Sequence, residues 1–143
     1  MRALIDTCVI IDALQSREPF CKEAQEIFYI AANKHAVEYI SAKAITDIYY
    51  LTHRATHSDT ETRRILNTLL GLFEILDTTS MDCRKALSSA ISDYEDAVMC
   101  ETAHRCDVDC IVTRNQRDYK NAEVKVYTPQ EFLQYMSTIN KVC

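Results

Sequence analysis

The sequence predicts an α/β fold, a three-layer α/β/α unit built around a central parallel sheet. Short apolar runs recur along the chain, each separated from the next by a longer stretch of helical periodicity. Runs so far apart do not pair as hairpins; they are expected to lie parallel, with the intervening helices covering both faces of the sheet. Several acids fall immediately after an apolar run or at a helix start. That places them at the carboxyl edge of such a sheet, where sites form.

Arg2 to Ile5 is the first strand, and Cys8 to Leu14 continues with apolar residues at helical spacing, leaving Asp6 at the junction. Cys21 to Lys34 reads as an amphipathic helix and Val37 to Ile40 as a short strand. Ser41 to Arg54 follows as a helix with Ser41 as its N-cap. A further helix is capped by Ser58 or Asp59 and stopped by Gly71, after which Phe73 to Leu76 supplies a third strand. Ser80 to Ala90 and Asp93 to Arg105 are helical, Cys110 to Thr113 is the fourth strand, and Val124 to Tyr127 is a weak fifth. The last helix begins near Pro129; Pro19 likewise stands where a helix begins.

With 143 residues, 48% of them hydrophobic, the chain suffices for one substantial core, and no repeat or Pro/Gly/Ser-rich linker divides it, so residues 1–143 are expected to form a single domain. No apolar run approaches the roughly 20 residues that a membrane helix needs. Asp6 and Asp12 interrupt the apolar start that would otherwise resemble a signal-peptide core. A cytoplasmic location is expected, without membrane association. Seven cysteines at uneven spacings fit a reducing compartment. The formal charge of −5 argues against a protein that coats nucleic acid through a broad basic surface. Gly71 is the only glycine, which speaks against phosphate-cradling loops and dinucleotide fingerprints.

The acids then carry the argument. Asp6, directly after the first strand, either caps the following helix or presents its carboxylate at the sheet edge. Asp47 lies at the border of the apolar face of its helix, where a solvated surface role is the plain alternative. Asp93 and Asp96 open a later helix three residues apart; Asp93 reads as an N-cap, whereas Ala97 and Val98 put Asp96 near the buried side. Ile111 to Thr113 is again followed by polar oxygen donors, Asn115 and Asp118. Together Asp6, Asp96, Asn115 and Asp118 are expected to converge. Carboxylates gathered without a compensating lysine cluster repel one another unless a hard cation lies among them, which suits Mg²⁺ or Mn²⁺ rather than zinc.

These residues give the chain its resemblance to the PIN-domain family, especially the small VapC-type ribonuclease toxins. The resemblance runs nearly end to end: Leu4-Ile5-Asp6-Thr7, the helical acid Asp47, Asp93-Tyr94-Glu95-Asp96-Ala97, and Ile111-Val112-Thr113-Arg114-Asn115 followed by Asp118-Tyr119. It implies a divalent-metal-dependent endoribonuclease acting on single-stranded RNA, a dimer, restrained by a cognate antitoxin. Asp6 and Asp96 would bind metal, with Asn115 as a further oxygen ligand. Asp47 stands where the family usually has Glu, and Asp118 is an additional acid at the rim. Thr7 and Thr113 would hold the site by hydrogen bonds. Two departures matter: Asp47 is one methylene shorter than Glu, and Asn115 occupies a position that is often Asp, which removes a negative charge.

Other signals are weaker. His53 and His57 lack the intervening Glu of a metalloprotease helix, and Cys100, His104 and Cys110 lack ligand spacing. Tyr49, Tyr50 and Tyr94 are candidates for stacking on unpaired bases, although helical tyrosines more often belong to cores or interfaces. Among Arg54, Arg63, Arg64, Arg114 and Arg117, the pair Arg114 and Arg117 flanks the expected site and is favoured for phosphate contact. A phosphate-accepting receiver domain would use Asp77 but needs a lysine after the Cys110 to Thr113 strand, where Arg114 and Asn115 stand. A catalytically weak PIN-like protein that binds RNA or a partner is the remaining rival.

Overall fold

The computed structural model describes residues 1–142 and contains five strands and seven α-helices. Strand β1 (Arg2–Ile5) leads into α1 (Thr7–Leu14) and α2 (Cys21–Ala32); β2 (Val37–Ser41) leads into α3 (Ala42–Thr56) and α4 (Asp59–Leu72). Then come β3 (Glu74–Leu76), α5 (Ser80–Ala86), α6 (Tyr94–Arg105), β4 (Cys110–Val112), a 3-10 turn (Gln116–Tyr119), β5 (Lys125–Tyr127) and α7 (Pro129–Val142). The sheet runs β3-β2-β1-β4-β5, and every neighbouring pair is parallel. The α/β/α prediction therefore holds.

Side chains alternate across the sheet as strand geometry requires. Ala3 and Ile5 of β1 join Ile40, Cys110 and Val112 in a core shared with α1, α2, α3, α4 and α7. Leu4, Tyr39 and Ile111 point the other way, into a smaller core with α5 and α6. Strand β1 is central, so Asp6 at its end is flanked by the ends of both β2 and β4.

Several boundaries differ from the expected ones. Gly71 does not stop α4; it lies inside the last turn, in ordinary right-handed space, and the helix ends at Phe73, whose backbone N–H reaches Leu69 O at 3.0 Å. Helix α3 runs on to Thr56, where His57 turns left-handed at φ 54°. Left-handed Lys34, at φ 56°, lies beyond the end of α2 at Ala32. Helix α5 stops at Ala86 rather than Ala90, because the N–H groups of Leu87, Ser88 and Ser89 fall back to carbonyls three residues earlier. Ser41 caps α3 as expected, accepting from Ala44 N–H at 3.3 Å. The six cysteines among the described residues are free thiols; Cys143 lies outside those residues. Among the described residues no helix is long and apolar enough to cross a membrane.

Candidate active site

At the carboxyl edge of β1 and β2 lies a cavity of about 340 Å³, whose walls include Asp6, Thr7, Lys43, Asp47, Glu95 and Asp96. Helix α3 supplies one wall and the start of α6 another, because the parallel strands deliver both helix beginnings to the same edge. Residues 90 positions apart in the chain thus face one space.

Asp6 serves both roles that its position suggests. One carboxylate oxygen, Oδ1, accepts from Thr7 N–H at 2.8 Å and caps α1. The other, Oδ2, accepts from the Thr113 hydroxyl at 2.7 Å and from the Cys8 thiol at 3.5 Å. Thr113 is completely buried, and its Oγ1 in turn accepts from Asn115 N–H at 3.0 Å. Burial and the neighbouring Asp6 charge push the Cys8 thiol up to about 11, so it stays protonated and remains a donor to Asp6.

Asp96 is held from the other side. Tyr119, buried at 3% exposure, donates its hydroxyl to Asp96 Oδ1 at 2.9 Å. Burial pushes the Asp96 carboxyl up to about 6; Tyr119 works against this, while the charges of Asp6, Asp93 and Asp118 add to it. Burial, with the charges of Asp6 and Asp96, raises the Tyr119 phenol, which therefore stays a donor. Asp93 caps α6 by accepting from Asp96 N–H at 3.1 Å.

Asp47 lines the same cavity, one α3 turn from Lys43, whose Nζ sits 2.9 Å from Asp47 Oδ2 and 3.2 Å from Glu95 Oε2. Burial works to lower the Lys43 ammonium, but Asp47 and Glu95 together raise it. No lysine cluster faces the acids, but one lysine does: Lys43 partly compensates Asp47 and Glu95. A lysine four residues before an aspartate is an ordinary helical pair, and that spacing was the available signal. Glu95 also lines the cavity, one residue before Asp96. Nothing local marks Tyr119 as a partner of Asp96, because the contact spans 23 positions.

The 3-10 turn is less central than expected. Thr113, Arg114, Asn115, Arg117 and Asp118 do not line the cavity. Asn115 contributes its backbone, donating to Thr113 and accepting from Asp118 N–H at 2.9 Å, with its side chain exposed. Asp118 is exposed and acts on Asp96 through its charge. Arg117 is exposed and forms no ion pair among the described residues. Arg114 corrects the phosphate-contact expectation. Its guanidinium lies 4.0 Å from the centre of the Phe20 ring and pairs with Asp12, with Nε at 2.5 Å from Oδ2 and an Nη at 3.3 Å from Oδ1. Asp12 is 1% exposed, so a buried charge claims this arginine.

Among the described residues no group of three or more His, Cys, Asp or Glu side chains is placed to hold a metal ion. The donor set nonetheless fits a hard cation. Mg²⁺ is commonly held by one or two carboxylates together with water and substrate phosphate, and both Asp6 and Asp96 line the cavity, Asp96 raised first by burial and then by the charges of Asp6, Asp93 and Asp118. Asp6 and Asp96 are the residues that could hold such an ion.

A family model of the PIN domain matches residues 2–117. No curated protein matches the chain in sequence. Solved structures similar to the chain include a toxin–antitoxin complex from Klebsiella pneumoniae, at TM-score 0.65 and 22% identity over 89% of this chain and 97% of that one. Another is FitAcB from Neisseria gonorrhoeae, at TM-score 0.66 and 20% identity over 90% of this chain and 98% of that one. A third is VapBC2 from Rickettsia felis bound to a promoter DNA fragment, at TM-score 0.62 and 15% identity, with 90% and 98% covered. At these identities the likeness is one of fold. The family model spans most of the chain, and the chain belongs to the PIN-domain family.

Proposed function

We propose that the chain is a divalent-metal-dependent endoribonuclease that hydrolyses phosphodiester bonds of single-stranded RNA, and that it is the toxin of a toxin–antitoxin pair. The observation that carries the chemistry is the meeting of Asp6 and Asp96 at one cavity, with Asp96 pushed up to about 6 by burial and by the acids around it. The toxin role draws on the family and on the likeness to the toxin–antitoxin complex from Klebsiella pneumoniae. A homodimer and a cognate antitoxin as partner belong to the same reading.

Asp6 and Asp96 hold Mg²⁺ or Mn²⁺ in this scheme. When bound, such an ion supplies water activation and offsets charge on the leaving oxygen. The protein's own contribution is orientation. Thr7, Cys8 and Thr113 direct donors at both Asp6 oxygens, and Tyr119 fixes one oxygen of Asp96. Each carboxylate keeps a direction without reorganising when substrate arrives. Lys43, shared by Asp47 and Glu95, offsets part of the negative charge that a phosphate entering the cavity would meet.

The test is incubation with defined single-stranded RNAs in Mg²⁺, Mn²⁺ or EDTA, comparing the wild type with Asp96→Asn. Internal cleavage that needs the divalent ion and is lost in the variant is the expected result. RNA cut equally well in EDTA, or by Asp96→Asn, overturns the proposal. The second reading, a PIN protein that binds RNA or a partner without cutting, has one observation in its favour: Lys43 already neutralises part of the acid cluster. It predicts RNA association with no cleavage and no loss of binding in Asp6→Asn.

A further inference from the structure

Helix α3 presents more to the cavity than its acid. Lys43, Asp47, Tyr50 and Arg54 follow at intervals of four, three and four residues, a single helical stripe, and all four line the cavity that holds Asp6 and Asp96. The stripe starts at the acids and runs outward for about three turns. Its inner half is occupied, since Lys43 bonds to Asp47 and Glu95. Its outer half is not. Tyr50 is 67% exposed, unusually open for so large a ring, and its hydroxyl has no hydrogen-bond partner among the described residues. Arg54 is exposed and makes no ion pair among those residues, and unlike Arg117, which is also unpaired, it lines the cavity.

Tyr50 is also braced. Tyr49 hydrogen-bonds Asp59 and stacks on His53 at 5.7 Å between ring centres, and Tyr50 meets Tyr49 at 5.5 Å with the rings inclined at 84°. An edge-to-face neighbour restrains a ring while leaving area exposed. One turn further out, about 6 Å along the helix axis, Arg54 supplies a planar cation.

We propose that Tyr50 is a stacking platform for one unpaired base beside the cleaved bond and that Arg54 contacts the phosphate next to it, an inference that rests on the nuclease reading. Charge supports this division of labour. A chain of net charge −5 cannot hold RNA by a broad basic face, so its affinity has to come from a few local contacts. Stacking is the contact that tolerates net negative charge and any base. It also excludes duplexes at this position, because a paired base has both faces covered by its neighbours. Single-strand preference then arises from the platform, while the acids beside it do the cutting.

The experiment measures binding of a fluorescein-labelled, random-sequence single-stranded RNA of about 12 nucleotides in Mg²⁺, with Asp96→Asn as the non-cutting parent. Adding Tyr50→Leu is expected to weaken binding about tenfold, Tyr50→Trp to preserve it, and neither to shift the melting temperature. Adding Arg54→Gln is expected to weaken binding and to flatten the plot of log affinity against log salt by about 0.7. In the cutting enzyme, Tyr50→Leu is expected to raise KM with kcat close to that of the wild type. If the parent binds and the wild type cuts, but Tyr50→Leu binds as the parent does, the platform is wrong and the nuclease reading stands. If the wild type neither binds nor cuts single-stranded RNA, the nuclease reading fails and the platform falls with it.

Discussion

Asp82 and Glu38 are both almost completely buried, at 1% and 3% exposure, yet the fold treats them in opposite ways. Asp82, at the corner of α5 and α6, receives Arg105 at 2.9 and 3.0 Å, the Thr102 hydroxyl at 3.1 Å and Thr79 N–H at 2.9 Å. Burial pulls its carboxyl up, but these donors win and hold it below the usual carboxylate range. Glu38, inside β2, has neither oxygen bonded among the described residues, and burial alone pushes it up to about 8. Asp96 stands between them, half-buried, with the Tyr119 hydroxyl on one carboxylate oxygen and a carboxyl pushed up to about 6. Donors, rather than burial, decide whether a buried acid in this chain is kept as an anion. The carboxyl edge of the sheet is where the chain spends them.

Asp6 tests this most severely, since both of its oxygens are supplied with donors. Asp6→Asn keeps the shape but presents an amide nitrogen to donors or to a cation. Cleavage of single-stranded RNA is expected to fall at least about 100-fold, with little change in melting temperature. Gel assays at saturating RNA measure this; near-normal cleavage would show that the donors around Asp6 serve α1 capping alone.

Asp12→Ala probes the same rule where no chemistry is involved. It strands the Arg114 guanidinium, three-quarters buried, with only the Phe20 ring beneath it. Breaking one side of a buried pair is expected to cost about 3–5 kcal/mol, read from urea unfolding. Recovery in an Asp12→Leu, Arg114→Met double variant would show that the cost lies in the unpaired charge.

Glu38 supplies the opposite case and a pH signature. Its folded-state carboxyl titrates near 8, against an ordinary value of 4.5 in the unfolded chain. Between those values the folded protein carries a proton that the unfolded chain has released, so stability declines as pH rises from about 4.5 to about 8 and levels off above. Glu38→Gln is expected to remove that slope and to gain about 4–5 kcal/mol at pH 8.5, with little change at pH 4. Urea unfolding across pH measures it. An unchanged slope would mean that Glu38 finds a donor in solution.

Strand order of burial and helix periodicity were legible in the sequence because both are local patterns, and all five strands lie where apolar runs placed them. The helix ends at Thr56 and Leu72 were not, since His57 and Phe73 end them through backbone geometry that glycine did not signal. Of the three acids that line the cavity, Asp6 and Asp96 stood out because a parallel sheet sends strand ends and helix starts to one edge, and Asp47 through its resemblance to the family's helical acid. Their partners did not. Tyr119 reaches Asp96 across 23 positions, and Arg114 reaches Asp12 across 102. An arginine beside a predicted site reads as a phosphate contact until packing reveals the buried acid that holds it.

Thr113→Val is the finest test of the contrast between supplied and unsupplied acids. The side chain is completely buried and valine matches its volume, so no cavity opens. What disappears is the donor at 2.7 Å from Asp6 Oδ2 and the acceptor at 3.0 Å for Asn115 N–H. Oδ2 is left with the Cys8 thiol at 3.5 Å, a weak and long substitute. Stability is expected to fall by about 2 kcal/mol, in the range for a hydrogen bond to a charged group. Cleavage is expected to slow about tenfold in kcat with KM unchanged, because Asp6 loses a fixed direction rather than its charge. Thr113→Ser restores the hydroxyl and should restore the rate even where it leaves a small void. If Thr113→Val cuts at the wild-type rate while Thr113→Ser is the slower of the two, packing rather than the donor prepares Asp6. The difference drawn between Asp82 and Glu38 would then have no bearing on catalysis.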